Sequence, residues 1–114
     1  MVVDSYIPDE RDIVWIDLDP QTGHEQKGRR PALVLSPRSY NRTGLFLICP
    51  ITNQIKGYPF EVLLGTNHLT TGAVLADQIK SLDWTQRRVE FRETADDSLV
   101  SMVKDRIALL LQFN

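Results

Sequence analysis

Cysteine, histidine and long apolar runs are all scarce in this chain, and each scarcity excludes something. The single cysteine, Cys49, rules out an intramolecular disulfide. It lies in the apolar run Leu45-Phe46-Leu47-Ile48-Cys49 and reads as a buried small hydrophobe. The two histidines, His24 and His68, sit in unrelated turns far apart in the sequence, which argues against catalysis by a histidine pair. No apolar run approaches the ~20 residues that span a bilayer. The first residues carry Asp4, Asp9, Glu10 and Asp12 in place of a basic region followed by an apolar stretch, so a cytoplasmic protein is expected. No linker, internal repeat or low-complexity stretch interrupts the chain.

A surplus of positive charge is missing too. The formal net charge is −2, which counts against a polyanion-binding protein until the charge is divided along the chain. Residues 1–22 hold six acids and one base, residues 23–59 six bases and one acid, and residues 60–114 eight acids and six bases. The bases of the middle segment are Lys27, Arg29, Arg30, Arg38, Arg42 and Lys56. A local basic patch can steer and hold a polyanion on a mildly acidic protein, because the nearby field matters more than the total. The plainer alternative is a solvated charged face. A length of 114 residues, 42% hydrophobic and 25% charged, fits one globular domain spanning 1–114.

The richest stretch is Gly23-His24-Glu25-Gln26-Lys27-Gly28-Arg29-Arg30-Pro31. It gathers three cations, a carboxylate, an imidazole and two glycines between two predicted strands. Burying its charges unpaired would cost several kcal/mol or more each, so an exposed loop is expected. Glycines let the backbone turn and approach a ligand, and Arg29 and Arg30 offer planar forks that match phosphate oxygens. The loop reads as facing a phosphodiester.

Alternating or β-rich runs at 12–18, 31–35, 45–51, 60–64, 72–82 and 88–92 predict six strands, the fifth long enough to bend. Turn signals between them point to a mainly β, compact barrel. The C-terminal stretch changes to helical spacing. Thr94 is placed to cap a helix with Asp97 at its third position; Leu99, Met102 or Val103, Arg106, Leu110 and Phe113 follow at helical spacing, a stripe that Arg106 breaks and Ile107 and Leu111 widen. That helix can close the barrel or pair with a second copy; the leucines at 109, 110 and 111 exceed what one small barrel hides and point to a dimer.

If the phosphodiester belongs to RNA, its ribose 2′-hydroxyl can attack the neighbouring phosphorus. That reaction needs a proton acceptor, a proton donor and positive charge beside the developing oxyanions. Arg30 suits the charge, Glu25 or His24 the proton, and Pro50-Ile51-Thr52-Asn53-Gln54 brings a hydroxyl and amides to a second strand end. Each has a structural alternative: Arg30 as the ion-pair partner of Asp17 or Asp19, and Thr52 as a hydroxyl bonded to backbone. Asp17 and Asp19 share a strand face, but no third ligand for a magnesium site stands out. No metal and no cofactor are expected.

The runs Tyr6-Ile7-Pro8-Asp9, Asp12 to Pro20, Gly23-x-Glu25-Gln26-x-Gly28-x-Arg30-Pro31 and Ala32-Leu33-Val34-Leu35-Ser36-Pro37 together resemble the MazF/PemK family of toxin endoribonucleases, most of all its MazF branch. Pro50-Ile51-Thr52, Lys56-Gly57-Tyr58-Pro59-Phe60-Glu61 and Leu75-Ala76-Asp77-Gln78-Ile79-Lys80-Ser81 extend the resemblance in register to about residue 84. It implies an SH3-like barrel with a C-terminal helix, a homodimer, and sequence-specific, metal-independent cleavage of single-stranded RNA to a 2′,3′-cyclic phosphate and a 5′-hydroxyl. It also implies a cognate MazE-like antitoxin whose acidic, disordered tail competes for the RNA groove. The family's catalytic arginine falls on Arg30, its threonine on Thr52, and a further carboxylate on Glu25. Arginine holds its proton too firmly to be an easy base, so Arg30 is assigned to transition-state stabilisation and the base is Glu25 or water. His24, Lys27, Arg29, Asn53, Gln54, Lys56, Gln78 and Lys80 are the candidate RNA-binding residues. Residues 85–93 depart from the family pattern. Two other classes compete on the same fold: a gyrase-poisoning, CcdB-like inhibitor, which would need an aromatic-containing tip unlike Gln112-Phe113-Asn114, and a catalytically inactive RNA-binding module.

Overall fold

Strand β1 (Asp12–Leu18) has the predicted bounds and is largely buried. In the computed structural model, which describes residues 6–18 and 28–112, its consecutive residues Ile13 and Val14 are both fully buried. Successive side chains of a strand point to opposite faces, so the sheet is covered on both sides here. One apolar cluster joins Ile13, Leu33, Cys49, Ile51, Val62 and Val74 to the C-terminal helix, and the other joins Val14, Ile16, Ala32, Val34, Phe46 and Ile48. Cys49 is fully buried in the first cluster, and burial together with the charge of Asp77 pushes its thiol up to about 12. It packs as the small hydrophobe expected.

Strand β2 (Gly28–Val34) begins three residues before the predicted start. The cause is pairing: Arg29 and Arg30 sit opposite Asp17 and Ile16 of β1. Both arginines therefore stand on a strand and not in the loop, whose residues 23–27 lie outside the described ones. A four-residue helix α1 (Arg38–Asn41) fills the next turn, where fully buried Asn41 donates to the carbonyls of Pro8 (2.8 Å) and Ser36 (2.9 Å).

Strand β3 (Leu45–Thr52) is the long spine. It pairs with β2 on one edge and on the other with β5 (Ala73–Leu75) near its end and β6 (Lys80–Asp83) near its start. Ile51 lies opposite Val74 and Ile48 opposite Lys80, so three steps along β3 match six along its partner. The difference is the 3₁₀ turn Ala76–Gln78, which is the bend expected in the long fifth strand. Strand β4 (Glu61–Leu63) adds to β5, and β7 (Glu90–Thr94) adds to β1. The order β4-β5-β3-β2-β1-β7 makes a strongly curved, roughly barrel-like antiparallel sheet that does not close on itself.

Helix α2 (Asp97–Leu111) starts later than a Thr94 cap predicts. Thr94 is the last residue of β7, paired with Asp12, and the next N–H, of Ala95, donates to the Arg11 carbonyl at 2.7 Å; ladder pairing wins over capping. Asp96 holds the cap position, its N–H donating to His68 Nε2 at 3.1 Å. Leu99, Val100 and Val103 pack inward, while Met102, Leu109, Leu110 and Leu111 are exposed, as the surplus of leucines implied. No described helix is long and apolar enough to cross a membrane.

Candidate active site

The site forms where β2 and β3 run past their last bonded pair. Ala32 lies opposite Pro50 as the last bonded pair, Arg30 standing two residues before it on β2 and Thr52 two residues after it on β3. The two predicted catalytic residues that the structure describes line adjoining clefts, Thr52 the first and Arg30 the second described below. Arg30 is half-buried; Thr52 is 3% exposed at the end of β3, opposite Ala73. Thr52 Oγ1 accepts the Gln54 N–H at 3.0 Å. With that lone pair engaged, the hydroxyl proton is still available for donation.

A glycine fixes this ridge. A Cβ on Gly72 would lie 2.2 Å from the Thr52 carbonyl oxygen, and its φ of +112° is one that L side chains rarely adopt. Only glycine lets the 65–72 loop press against the backbone of Thr52. Thr71 Oγ1 then donates to Asn53 Oδ1 at 2.9 Å and orients that amide.

Two clefts meet at Thr52 and Asn53. The first, about 340 Å³, is lined by Thr52, Gln54, Lys56, Tyr58, Asp77 and Gln78, with Glu61 and Leu75 at its wall. The Glu61 carboxylate accepts the backbone N–H groups of Lys56 (2.9 Å) and Gly57 (2.6 Å), pinning the loop that carries Lys56 and Tyr58. The Tyr58 hydroxyl donates to Asp77 Oδ1 at 3.2 Å; burial, then the Asp77 charge, pushes it up to about 12, so it stays a donor at neutral pH. The second cleft, about 260 Å³, contains Trp15, Arg29, Arg30, Asn53, Thr70 and Arg92.

Arg29 is an ion-pair residue. Its Nη1 donates to Asp17 Oδ1 at 2.9 Å and its Nη2 bonds Glu90, while Arg88 forks onto the same Asp17 at 2.6 and 3.1 Å. Hydrogen bonds from Arg88 and Arg29 hold the Asp17 carboxyl down at about 2. Asp17, one of the two carboxylates considered for magnesium, thus carries two guanidiniums; Asp19, the other, lies outside the described residues.

Of the other candidates, Gln54, Lys56 and Gln78 line the first cleft and Asn53 the second. Lys80 starts β6 opposite Ile48 and lines neither. His24, Glu25 and Lys27 lie outside the described residues. Tyr58, Glu61 and Asp77 were absent from the sequence-based site, although all three stand in the quoted runs 56–61 and 75–81. Trp15 and Arg92 gave no signal, because each reads as one more residue of an alternating strand.

A family profile described as PemK-like, MazF-like toxin of type II toxin-antitoxin system matches residues 9–111. The chain is 44% identical over 111 residues to the endoribonuclease toxin MazF of Escherichia coli K12, covering 96% of this chain and 99% of that protein. It is 35% identical over 108 residues to the endoribonuclease PemK of Escherichia coli, covering 90% and 81%. The crystal structure of MazF from Deinococcus radiodurans superposes with a TM-score of 0.91 at 48% identity, covering 96% of this chain and all of that one. A MazE-MazF structure from the same organism gives 0.87 at 48% identity, with the same coverage. On a profile match over nearly its whole length and relatives alike from end to end, this chain belongs to the PemK-like, MazF-like toxins of type II toxin-antitoxin systems.

Proposed function

We propose that this MazF-like endoribonuclease toxin cuts single-stranded RNA at a short sequence motif without a metal ion, by attack of the ribose 2′-oxygen on the adjacent phosphorus. The bond to the 5′-oxygen breaks as the new P–O bond forms, leaving a 2′,3′-cyclic phosphate and a 5′-hydroxyl. Arg30 meets the equatorial oxygens as they gain negative charge, and the Thr52 hydroxyl donates to the same phosphate. The 2′ proton passes to Glu25 or to water; the leaving oxygen is protonated in return. A preorganised donor aimed at developing charge is worth on the order of 10²–10³ in rate, which is the scale asked of Arg30. The observation that supports this reading is the antiparallel register of β2 on β3, whose last bonded pair, Ala32 and Pro50, stands two residues from Arg30 on one strand and two from Thr52 on the other.

In the first cleft, Gln54, Lys56, Asp77 and Gln78 offer donors and acceptors for base edges, the kind of contact by which single-stranded RNA is read. The working form is a homodimer in the cytoplasm, to which exposed Leu109, Leu110 and Leu111 contribute apolar surface. A MazE-like antitoxin with an acidic, disordered tail inhibits it by competing for the same cations; the likeness to a MazE-MazF complex supports that partner.

The test is to incubate the protein with a long mixed RNA in excess EDTA and to analyse the fragment ends. Defined fragments ending in 2′,3′-cyclic phosphate and 5′-hydroxyl are expected. Loss of cleavage in EDTA, or 5′-phosphate ends, would refute the mechanism.

A further inference from the structure

Arg92 rises from β7 into the second cleft and is held there by neutral groups. Its Nε donates to Thr70 Oγ1 at 2.8 Å, its Nη2 reaches the Leu69 carbonyl at 3.4 Å, and its guanidinium carbon lies 5.2 Å from the centroid of the Trp15 ring. Thr70 is itself fixed, its hydroxyl donating to Glu93 at 2.6 Å. The adjacent carboxylate, Glu93, is committed to that hydroxyl and to the N–H groups of Leu69 (2.9 Å) and Thr70 (2.7 Å). Arg92 therefore makes no ion pair among the described residues, in contrast to Arg29 across the same cleft with its two carboxylates.

A guanidinium oriented by a hydroxyl, a carbonyl and an aromatic face keeps its full charge and presents a fixed edge to the cleft. That is an arrangement suited to phosphate oxygens. The cleft also contains Arg30 and Asn53, and Asn53 follows Thr52, so it is continuous with the mouth where the scissile phosphate is placed. We propose that the second cleft is a backbone-phosphate subsite for RNA, in which Arg92 binds a phosphate neighbouring the one that Arg30 meets. This rests on the reading of Arg30 and Thr52 given above and extends it to a side chain from the last strand.

The test titrates a fluorescein-labelled single-stranded oligonucleotide, carrying the mapped cleavage motif with deoxyribose at the cleavage position, against the full chain over a range of salt. Arg92→Gln is expected to weaken binding about ten-fold and to lower the log–log salt slope by about 0.7, the value for one lost phosphate contact on a single strand. The cleavage positions in RNA should stay where they are. Arg92→Lys should keep the slope and lose only part of the affinity. Unchanged affinity and slope in Arg92→Gln overturn the proposal, as does a variant that loses an acidic peptide while keeping the oligonucleotide. Should Arg92→Gln not fold, a neutral methylphosphonate is walked along the oligonucleotide bound to wild-type protein. Weakening at the scissile linkage and a neighbour supports the subsite; weakening at the scissile linkage alone overturns it. Arg30→Ala separates the two readings, since undiminished cleavage there would sink the catalytic assignment while the Arg92 slope still reports on the subsite.

Discussion

The two clefts that meet at Thr52 and Asn53 are built on opposite electrostatic plans. The first mixes one lysine with two carboxylates, Glu61 and Asp77, and the amides of Gln54 and Gln78. The second holds three arginines, 29, 30 and 92; Arg29 is matched by the carboxylates of Asp17 and Glu90, and Arg92 makes no ion pair among the described residues. Mixed donors and acceptors suit base edges; concentrated guanidinium charge suits phosphates. On a chain of net charge −2, three guanidiniums gathered in one cleft make a local field that the total charge does not reveal.

The largest effect should come from the ridge common to both clefts. Gly72→Ala would drive a methyl group to 2.2 Å from the Thr52 carbonyl oxygen at a φ of +112°. A stability loss on the order of 3 kcal/mol, read by denaturant unfolding, and a fall in cleavage are expected together. A variant as stable and active as wild type would mean that the ridge is not what sets the geometry. A smaller change should touch the first cleft alone. Glu61→Gln weakens charge-assisted bonds worth about 1.5–3 kcal/mol that pin the Lys56 loop, so KM should rise about ten-fold with kcat nearly kept. A kcat loss at constant KM would instead place Glu61 in the chemistry.

The smallest effect concerns the Asp17 pair that neutralises Arg29. Its carboxyl is held at about 2 in the fold against an ordinary 3.8, so its contribution is present above about pH 4 and is lost as pH falls toward 2. The melting temperature of wild type should drop across that window, and that of Asp17→Asn should drop less steeply. Equal slopes would show that the network adds nothing to stability.

How far the sequence alone reaches can be judged from particular residues. Alternation located β1 to the residue, because Asp12 and Asp19-Pro20 bracket a β-rich run. It misplaced the start of β2, since two adjacent arginines look like loop until β1 supplies Asp17 as a partner. Thr94 reads equally well as a cap or a strand end, and only its pairing with Asp12 decides. Arg30 and Thr52 are site candidates through motif and family resemblance. The Glu61 clamp, the Gly72 contact and the Arg92 seat were not legible, because each depends on residues four or more positions apart meeting in space. Residues 85–93, which departed from the family pattern, nevertheless supply the start of β7 and Arg92.

Cleavage of single-stranded RNA by Arg30→Ala tests the account most directly, with circular dichroism confirming that the variant is folded. The account predicts a rate at least about 10²-fold below wild type, with no new cleavage positions. A folded variant that cuts the same RNA at the same positions and at the wild-type rate would contradict it.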